Sequence, residues 1–436
     1  MTPASSALPL IVDLDGTLIR TDLLAETATR FVVENPSQWF KLPLWLAQGK
    51  PTLKMQLARS ASIDMATLPY NEELIDWIRE QRSSGRRVVL ATASHRALAD
   101  QVARHLELID EVLATEGGTN LKAGAKQAAL VSRFGERGFD YVGNDWADVC
   151  IWRSAATSHI AGNNRRLIEK VRTLGNLGQI FDDGKPPLTS ALIKAMRPYQ
   201  WVKNLLVFVP LLAAHRDGDS ASIWHAMLAL LVFGLTAASV YLLNDLADVS
   251  DDRHHPRKRS RPLAAGHLGL AVAWLAWPLL LVLAFLLAGL LLPWPFSATL
   301  ATYFVLTAAY SLKLKQVPVV DVLTLAGLYT LRIVAGAACI GVPLSFWLLL
   351  FSMFLFLSLA FVKRYSELRA ARTEGRSTTL RGRGYEPQDL ELVSSLGGTA
   401  GYLSVLVLAL YVQDFHTASL YATPALIWLA CPLLLF

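Results

Sequence analysis

The sequence predicts two unlike domains on one chain. An N-terminal α/β domain with a Rossmann-like parallel sheet and a helical cap is followed by an all-α polytopic membrane bundle. Three observations carry this. Of the 436 residues, 53% are hydrophobic and 17% charged, but the charge is uneven: residues 1–200 hold 46 Asp, Glu, Lys and Arg (23%), and residues 201–436 hold 30 (about 13%). The first density is that of a soluble domain and the second that of a membrane domain. Short apolar runs in the first part end in polar residues, as buried parallel strands do. Long apolar runs in the second part have the length needed to cross a bilayer. Disorder, collagen-like repeats and a single large soluble core are excluded.

The first run, 8–12, ends in Asp13-Leu14-Asp15-Gly16-Thr17-Leu18, the second, 87–91, in Thr92-Ala93-Ser94, and the third, 139–142, in Gly143-Asn144-Asp145. Helical patterns lie between them, so polar groups gather at the strand ends. Residues 22–75 read as a helical cap. Its stretch Trp39-Phe40-Lys41-Leu42-Pro43-Leu44-Trp45 is either the cap's own core or a contact with a membrane surface. Domain limits are expected at 1–162, 163–192 (a helix and a linker) and 193–436. Eight membrane helices are expected near 203–215, 221–243, 268–288, 293–311, 318–340, 343–362, 395–412 and 419–436. The last run stops at Phe436 without flanking polar residues, which suggests a truncated final helix.

The net charge of +6 is too small a surplus to favour nucleic acid. Topology explains it better: 14 of the 17 Lys and Arg after residue 200 fall in the loops 244–267, 311–317 and 363–394, whereas the opposite loops carry Arg216. The positive-inside rule puts those loops and the N-terminal domain in the cytoplasm, with the chain multi-pass in the plasma or inner membrane. Cys150, Cys339 and Cys431 are far apart and imply neither a disulfide framework nor a zinc site. Residues 1–10 lack a basic start and a long apolar run, so no cleavable signal peptide is expected.

At the first strand end, one carboxylate of Asp13-x-Asp15 can attack a phosphorus while the other protonates the leaving oxygen. Asp13 and Asp15 can also face Mg2+, by a side chain and a backbone carbonyl. The Thr92 hydroxyl can bind a phosphoryl oxygen, Lys126 or Lys122 can balance its charge, and Asp145 and Asp148 can complete a metal site. This ordered set resembles the haloacid dehalogenase superfamily, in its phosphoserine-phosphatase-like branch, over residues 8–160. The resemblance implies Asp13 as nucleophile, Asp15 as acid/base, Thr92 and Lys126 as phosphate binders and an acidic pair for Mg2+. The family usually has Gly-Asp where this chain has Gly143-Asn144, so Asp145 is expected to substitute or metal binding to weaken.

In the second part, Asn244, Asp248 and Asp252 recur at i, i+4 and i+8 of Asn244-Asp245-Leu246-Ala247-Asp248-Val249-Ser250-Asp251-Asp252, on one helical face. Acids so gathered repel unless neutralised, and a magnesium–diphosphate pair does that. Arg253, Arg257, Lys258, Arg259 and Arg261 follow, suited to phosphate oxygens. The alternative is an ordinary charged cytoplasmic loop, which accounts for the bases but not for the acid spacing.

The Asn-Asp-x-x-Asp-x-x-x-Asp pattern resembles the UbiA superfamily of intramembrane prenyltransferases over roughly 190–436. The resemblance implies Mg2+ held by Asn244, Asp245, Asp248 and Asp252, with Asp248 and Asp321 among the catalytic groups. At the family's second acidic motif this chain has Tyr310-Ser311-Leu312-Lys313-Leu314-Lys315, then Asp321 and Thr324, so one acid remains of a pair. This variant and Arg197-Pro198-x-Gln200-Trp201-x-Lys203-Asn204 look like the decaprenyl-phosphate phosphoribosyltransferase branch. That branch implies phosphoribosyl diphosphate as donor and a polyprenyl phosphate as acceptor. Lys203, Asn204, Tyr310, Lys315 and Arg332 then become candidate substrate binders beside Arg257, Lys258 and Arg261. Asp321 and Arg332, eleven positions apart, fall on nearly one helical face. Arg332 inside a membrane helix is a functional candidate by default, or else a structural pair with a neighbouring helix. Lys363-Arg364-x-x-Glu367 and Arg381-Gly382-Arg383-Gly384-Tyr385 either clasp the donor's 5-phosphate or anchor at anionic lipid heads. Two other readings stay open: an aromatic prenyltransferase with an unrelated phosphatase, and a non-enzymatic lipid-binding scaffold.

Overall fold

Leu10, Ile11 and Val12 are wholly buried, as an apolar run covered on both faces of a parallel sheet must be. They form β1 (Leu10–Val12) at the centre of six strands, with β2 (Val88–His95), β3 (Glu111–Thr115), β4 (Asp140–Gly143), β5 (Ser158–Ala161) and β6 (Leu177–Phe181). The order is β3-β2-β1-β4-β5-β6, and every pairing is parallel. This is a computed structural model, and it describes residues 8–116, 121–373 and 384–413. The chain divides into two compact units, one of Met1–Ala195 with Leu242–Ala276 and one of Met196–Tyr241 with Trp277–Phe436.

In the first unit the strand order reverses at β1, so the crevice beyond its C-terminal end is the natural ligand site. Gly16 stands there at φ +76°, and a Cβ on it would lie 2.3 Å from Asn144 Nδ2, so only glycine fits this turn. Helix α1 (Leu23–Glu34) begins the cap, with the Asp22 carboxylate accepting the N–H groups of Leu24 and Ala25. The aromatic stretch at 39–45 is cap core only in part. Leu42 and Trp45 pack with Phe31, Leu53 and Leu57, whereas Trp39, Phe40 and Leu44 are exposed.

The stretch read as a linker holds more structure than expected. Helix Arg165–Arg172 leads into β6 and then helix Leu188–Met196. The strand was hard to read because Gly178, Gln179 and Ile180 are exposed at the sheet edge, which leaves no apolar alternation to recognise.

Among the described residues five helices are long and apolar enough to cross a membrane: Ser220–Ala247, Leu270–Leu291, Val320–Ile340, Phe346–Thr373 and Pro387–Gln413. Helix Trp294–Leu312 accompanies them. The span expected near 203–215 is not a crossing helix. It is a 3-10 segment, Pro198–Phe208, followed by the short α-helix Val209–Ala213. Pro198 and Pro210 each remove a backbone donor, and neither piece reaches spanning length. The helix expected at 419–436 lies outside the described residues. Within the second unit Phe233 packs edge-on against Phe296 and beside Tyr303, at ring separations of 5.8 and 4.9 Å.

Candidate active sites

Asp13 follows β1 directly, and its N–H donates to Val142 O at 3.0 Å, which fixes it where β1 and β4 end. Its Oδ1 accepts the Leu14 N–H at 2.9 Å and the Lys126 ammonium at 2.8 Å. Lys126 comes from helix Gly124–Phe134 and is buried; Lys122 is exposed. Lys126 also donates to Tyr141 OH (3.2 Å), and Tyr141 OH donates to Asp148 Oδ1 (3.0 Å). The other Asp148 oxygen accepts the N–H groups of Asn144 and Asp145, each at 3.1 Å. Asp145 is exposed and its carboxylate accepts the Trp146 N–H, so it caps a turn. Asn144, at the family's usual aspartate position, accepts the Thr17 hydroxyl at 3.2 Å.

The Asp15 carboxylate is held on both oxygens. Oδ1 accepts the Leu23 N–H at the start of α1 (2.8 Å), and Oδ2 accepts the hydroxyls of Ser94 (2.7 Å) and Thr92 (3.3 Å). Burial pushes Asp15 up to about 7, and Asp22 and Asp13 add to the rise. Asp148 rises to about 6 through burial and then Asp13, against the pull of Lys126. Burial alone would lower the Lys126 ammonium, but Asp13 and Asp148 outweigh it and hold it above the usual lysine value. The sequence reading missed Ser94, Tyr141 and Lys54. Ser94 stands in the quoted Thr92-Ala93-Ser94 and Tyr141 in the third strand, but Lys54 has no local signal. It reaches from the cap to Ala93 O at 2.5 Å.

The acid segment belongs to the first unit. Asp248 N–H donates to Asn244 O and Asp252 N–H to Asp248 O, both at 2.8 Å, so the backbone keeps the i, i+4, i+8 stack across a break at Asp248. Asp245 and Asp252 are buried and share one partner, Arg261 Nη1, at 3.2 and 2.6 Å. Lys258 Nζ lies 3.7 Å from Asp252 Oδ1. Asn244 and Asp248 are half-buried, and Arg257 is exposed. Burial raises the Asp252 carboxyl above its ordinary value in spite of Arg261. Arg253 departs from the expected phosphate-binding role: both its terminal nitrogens donate to the Glu26 carboxylate.

In the second unit Asp321 and Arg364 are both wholly buried and paired at 2.5 Å. Tyr385 OH donates to Asp321 Oδ1 at 2.7 Å, and Arg364 reaches Tyr310 OH at 3.4 Å and the Glu367 carboxylate. A buried guanidinium must be paired, so Arg364 serves neither a surface phosphate clasp nor a lipid anchor. Arg332 pairs with Asn204 rather than Asp321. Its Nε donates to Asn204 Oδ1 (2.9 Å), Nη1 to Leu328 O (2.6 Å) and Nη2 to Tyr303 OH (2.9 Å), with its guanidinium over the rings of Tyr303 and Tyr329. Lys203 and Lys363 are exposed and Lys315 half-buried. Arg381 and Arg383 lie outside the described residues.

Among the described residues no three His, Cys, Asp or Glu side chains converge on a point able to hold a metal ion. The donor chemistry of the acid segment nevertheless fits a hard divalent cation: Asp252 Oδ1 is buried and accepts no hydrogen bond.

A hydrolase-type sheet with paired aspartates, on a chain whose apolar helices carry an Asn-Asp-x-x-Asp-x-x-x-Asp segment, marks a membrane-bound transferase with a phosphatase-like domain. The chain belongs to the UbiA prenyltransferase family, whose model matches residues 205–436, and residues 10–149 match the haloacid dehalogenase-like hydrolase family. It is 36% identical to uncharacterized protein y4nM of Sinorhizobium fredii over 97% of this chain and 82% of that one. It is 40% identical to a decaprenyl-phosphate phosphoribosyltransferase of Mycolicibacterium smegmatis over 49% of this chain and 69% of that one. Nodulation protein NoeC of Azorhizobium caulinodans is 39% identical over 50% of this chain and 71% of that one. The chain is therefore a multi-pass membrane enzyme.

Proposed function

We propose that the membrane domain transfers 5-phosphoribosyl from phosphoribosyl diphosphate to a polyprenyl phosphate, and that the N-terminal domain, on the cytoplasmic side, removes the 5-phosphate of the product. One observation carries the choice of substrate. Asp321, the acid remaining at the second motif, is already paired with Arg364 and accepts the Tyr385 hydroxyl, so that region is not an acid cluster awaiting a second metal-bound diphosphate. The relatives named decaprenyl-phosphate phosphoribosyltransferase support the same reading.

In the transfer, an oxygen of the lipid phosphate bonds to the ribose anomeric carbon as the bond from that carbon to diphosphate breaks. Asn244, Asp245, Asp248 and Asp252 would hold Mg2+, which when bound neutralises the charge of the diphosphate. Arg257, Lys258 and Arg261 bind phosphate oxygens, and Lys203, Tyr310, Lys315 and Lys363 attract the phosphates of donor and lipid. Arg332 orients Asn204. In the hydrolysis, Asp13 attacks the 5-phosphate as the bond from phosphorus to the ribose oxygen breaks, Lys126 balances its charge, and Thr92 donates to a phosphoryl oxygen. Asp15 protonates the leaving oxygen, then takes a proton from the water that attacks phosphorus, displaces Asp13 and releases inorganic phosphate. Asp145 and Asp148 lie at the end of the neighbouring strand, where an Mg2+ site would form.

The test gives purified protein labelled phosphoribosyl diphosphate, polyprenyl phosphate and Mg2+. Wild type should label the lipid, and Asp248→Ala should lower labelling at least about a hundredfold. Normal labelling by Asp248→Ala would refute the role given to the acid segment.

A further inference from the structure

Glu26 lies in the cap of the phosphatase-like domain and Arg253 directly follows the acid segment, 227 positions away. Arg253 Nη2 donates to Glu26 Oε1 at 2.6 Å and Nη1 to Oε2 at 3.1 Å, a two-pronged pair whose side chains are 6% and 4% exposed. The Arg253 Nε donates to Ala264 O at 3.2 Å, so the same guanidinium also closes the loop that carries Arg257, Lys258 and Arg261. Contacts on both sides reinforce it. One turn further along α1, Thr29 Oγ1 accepts the indole N–H of Trp274 at 2.8 Å. At the loop's far end Gly266, at φ +71°, comes so near the chain at Arg20 and Pro69 that a Cβ would lie 2.8 Å from Arg20 Cβ.

Neither residue has a part in the phosphatase chemistry. Glu26 is one turn beyond Leu23, whose N–H holds Asp15, and it faces Arg253 instead. Arg253 is next to Asp252, whose carboxylate is joined to Asp245 through Arg261. A buried two-pronged pair resists displacement, because removing one partner leaves the other charge buried and uncompensated.

We propose that Glu26 is a positioning residue for the transferase: through Arg253 it fixes the acid segment and the basic loop after it, so the phosphatase-like domain sets the geometry of the diphosphate-binding segment. This rests on the function proposed above. The pair holds 245–252 and 257–261 in one arrangement, with Arg261 between Asp245 and Asp252, and without it the segment and its loop take many.

The experiment uses the full-length protein in detergent as wild type, Glu26→Gln and the reversed pair Glu26→Arg with Arg253→Glu. It reads amide hydrogen exchange over 246–265 and the KM for magnesium–phosphoribosyl diphosphate in lipid labelling. Glu26→Gln should speed exchange in that segment about tenfold while β1, β2 and β4 keep wild-type rates. Its KM should rise about tenfold with kcat within about twofold, and the reversed pair should recover most of both changes. Wild-type exchange over 246–265 in Glu26→Gln would overturn the proposal, as would an equal rise over the strands. If the wild type itself leaves the lipid unlabelled, the phosphoribosyl reading fails, and the exchange rates still decide the role of Glu26.

Discussion

Asp13 and Asp15 stand two residues apart and are held differently, which is what two roles require. Asp13 faces the Lys126 ammonium at 2.8 Å, while Asp15 is surrounded by hydroxyls and one backbone N–H. A nucleophile beside a cation and a proton-holding partner follow from those surroundings. Asp13→Asn should leave lipid labelling intact and let a 5-phosphorylated lipid accumulate, read by chromatography of the extracted lipid. A second prediction concerns stability. Burial holds the His159 imidazole at about 4, below its ordinary 6.5. The unfolded chain therefore takes this proton first as pH falls, and the contribution of His159 itself drops by up to about 3 kcal/mol between pH 6.5 and 4, being fully present above that window. Between pH 7 and 5 the stability of wild type relative to His159→Gln should fall by about 2 kcal/mol, read by thermal unfolding of both proteins. The motif residues were legible because their chemistry is local: Asp13, Asp15 and Thr92 close apolar strands. Lys126 could be narrowed only to itself or Lys122. Glu26 and Arg253 were illegible as a pair, since nothing in either neighbourhood specifies a partner so far along the chain.

At the scale of elements, charge inside the apolar helices is settled by pairing. Helices Val320–Ile340 and Phe346–Thr373 are joined by Asp321 and Arg364, both wholly buried. Arg364→Ala should cost about 3 kcal/mol, because Asp321 is left with Tyr385 and without its cation, and a lowered Tm in detergent checks it. Helical periodicity placed Asp321 and Arg332 on nearly one face, and a face does not say which neighbour each residue meets. The membrane helices were legible where apolar runs were long. The stretch near 203–215 misled because it is apolar yet changes from a 3-10 segment to a short α-helix at Pro210, and composition does not record backbone donors. The edge strand Leu177–Phe181 misled in the opposite sense, being ordered without an apolar pattern.

At the scale of the whole molecule, one chain carries a transferase domain and a domain of phosphatase type, and the first unit of the fold contains both the paired aspartates of the sheet and the acid segment. The uneven charge along the sequence was enough to separate the two classes of domain. It could not show that 242–276 folds with the first of them, because that association rests on contacts such as Glu26 with Arg253 and Thr29 with Trp274. Chelation of Mg2+ should abolish lipid labelling and readdition restore it, as hard carboxylate oxygens require. Phosphoribosyl diphosphate carrying one label in the ribose and another in the 5-phosphate, supplied with polyprenyl phosphate and Mg2+, separates transfer from dephosphorylation in a single reaction. The ribose label should appear in the lipid phase and the 5-phosphate label as inorganic phosphate. An unlabelled lipid phase, or transfer of a prenyl chain to an aromatic acid instead, would refute phosphoribosyl transfer by this enzyme.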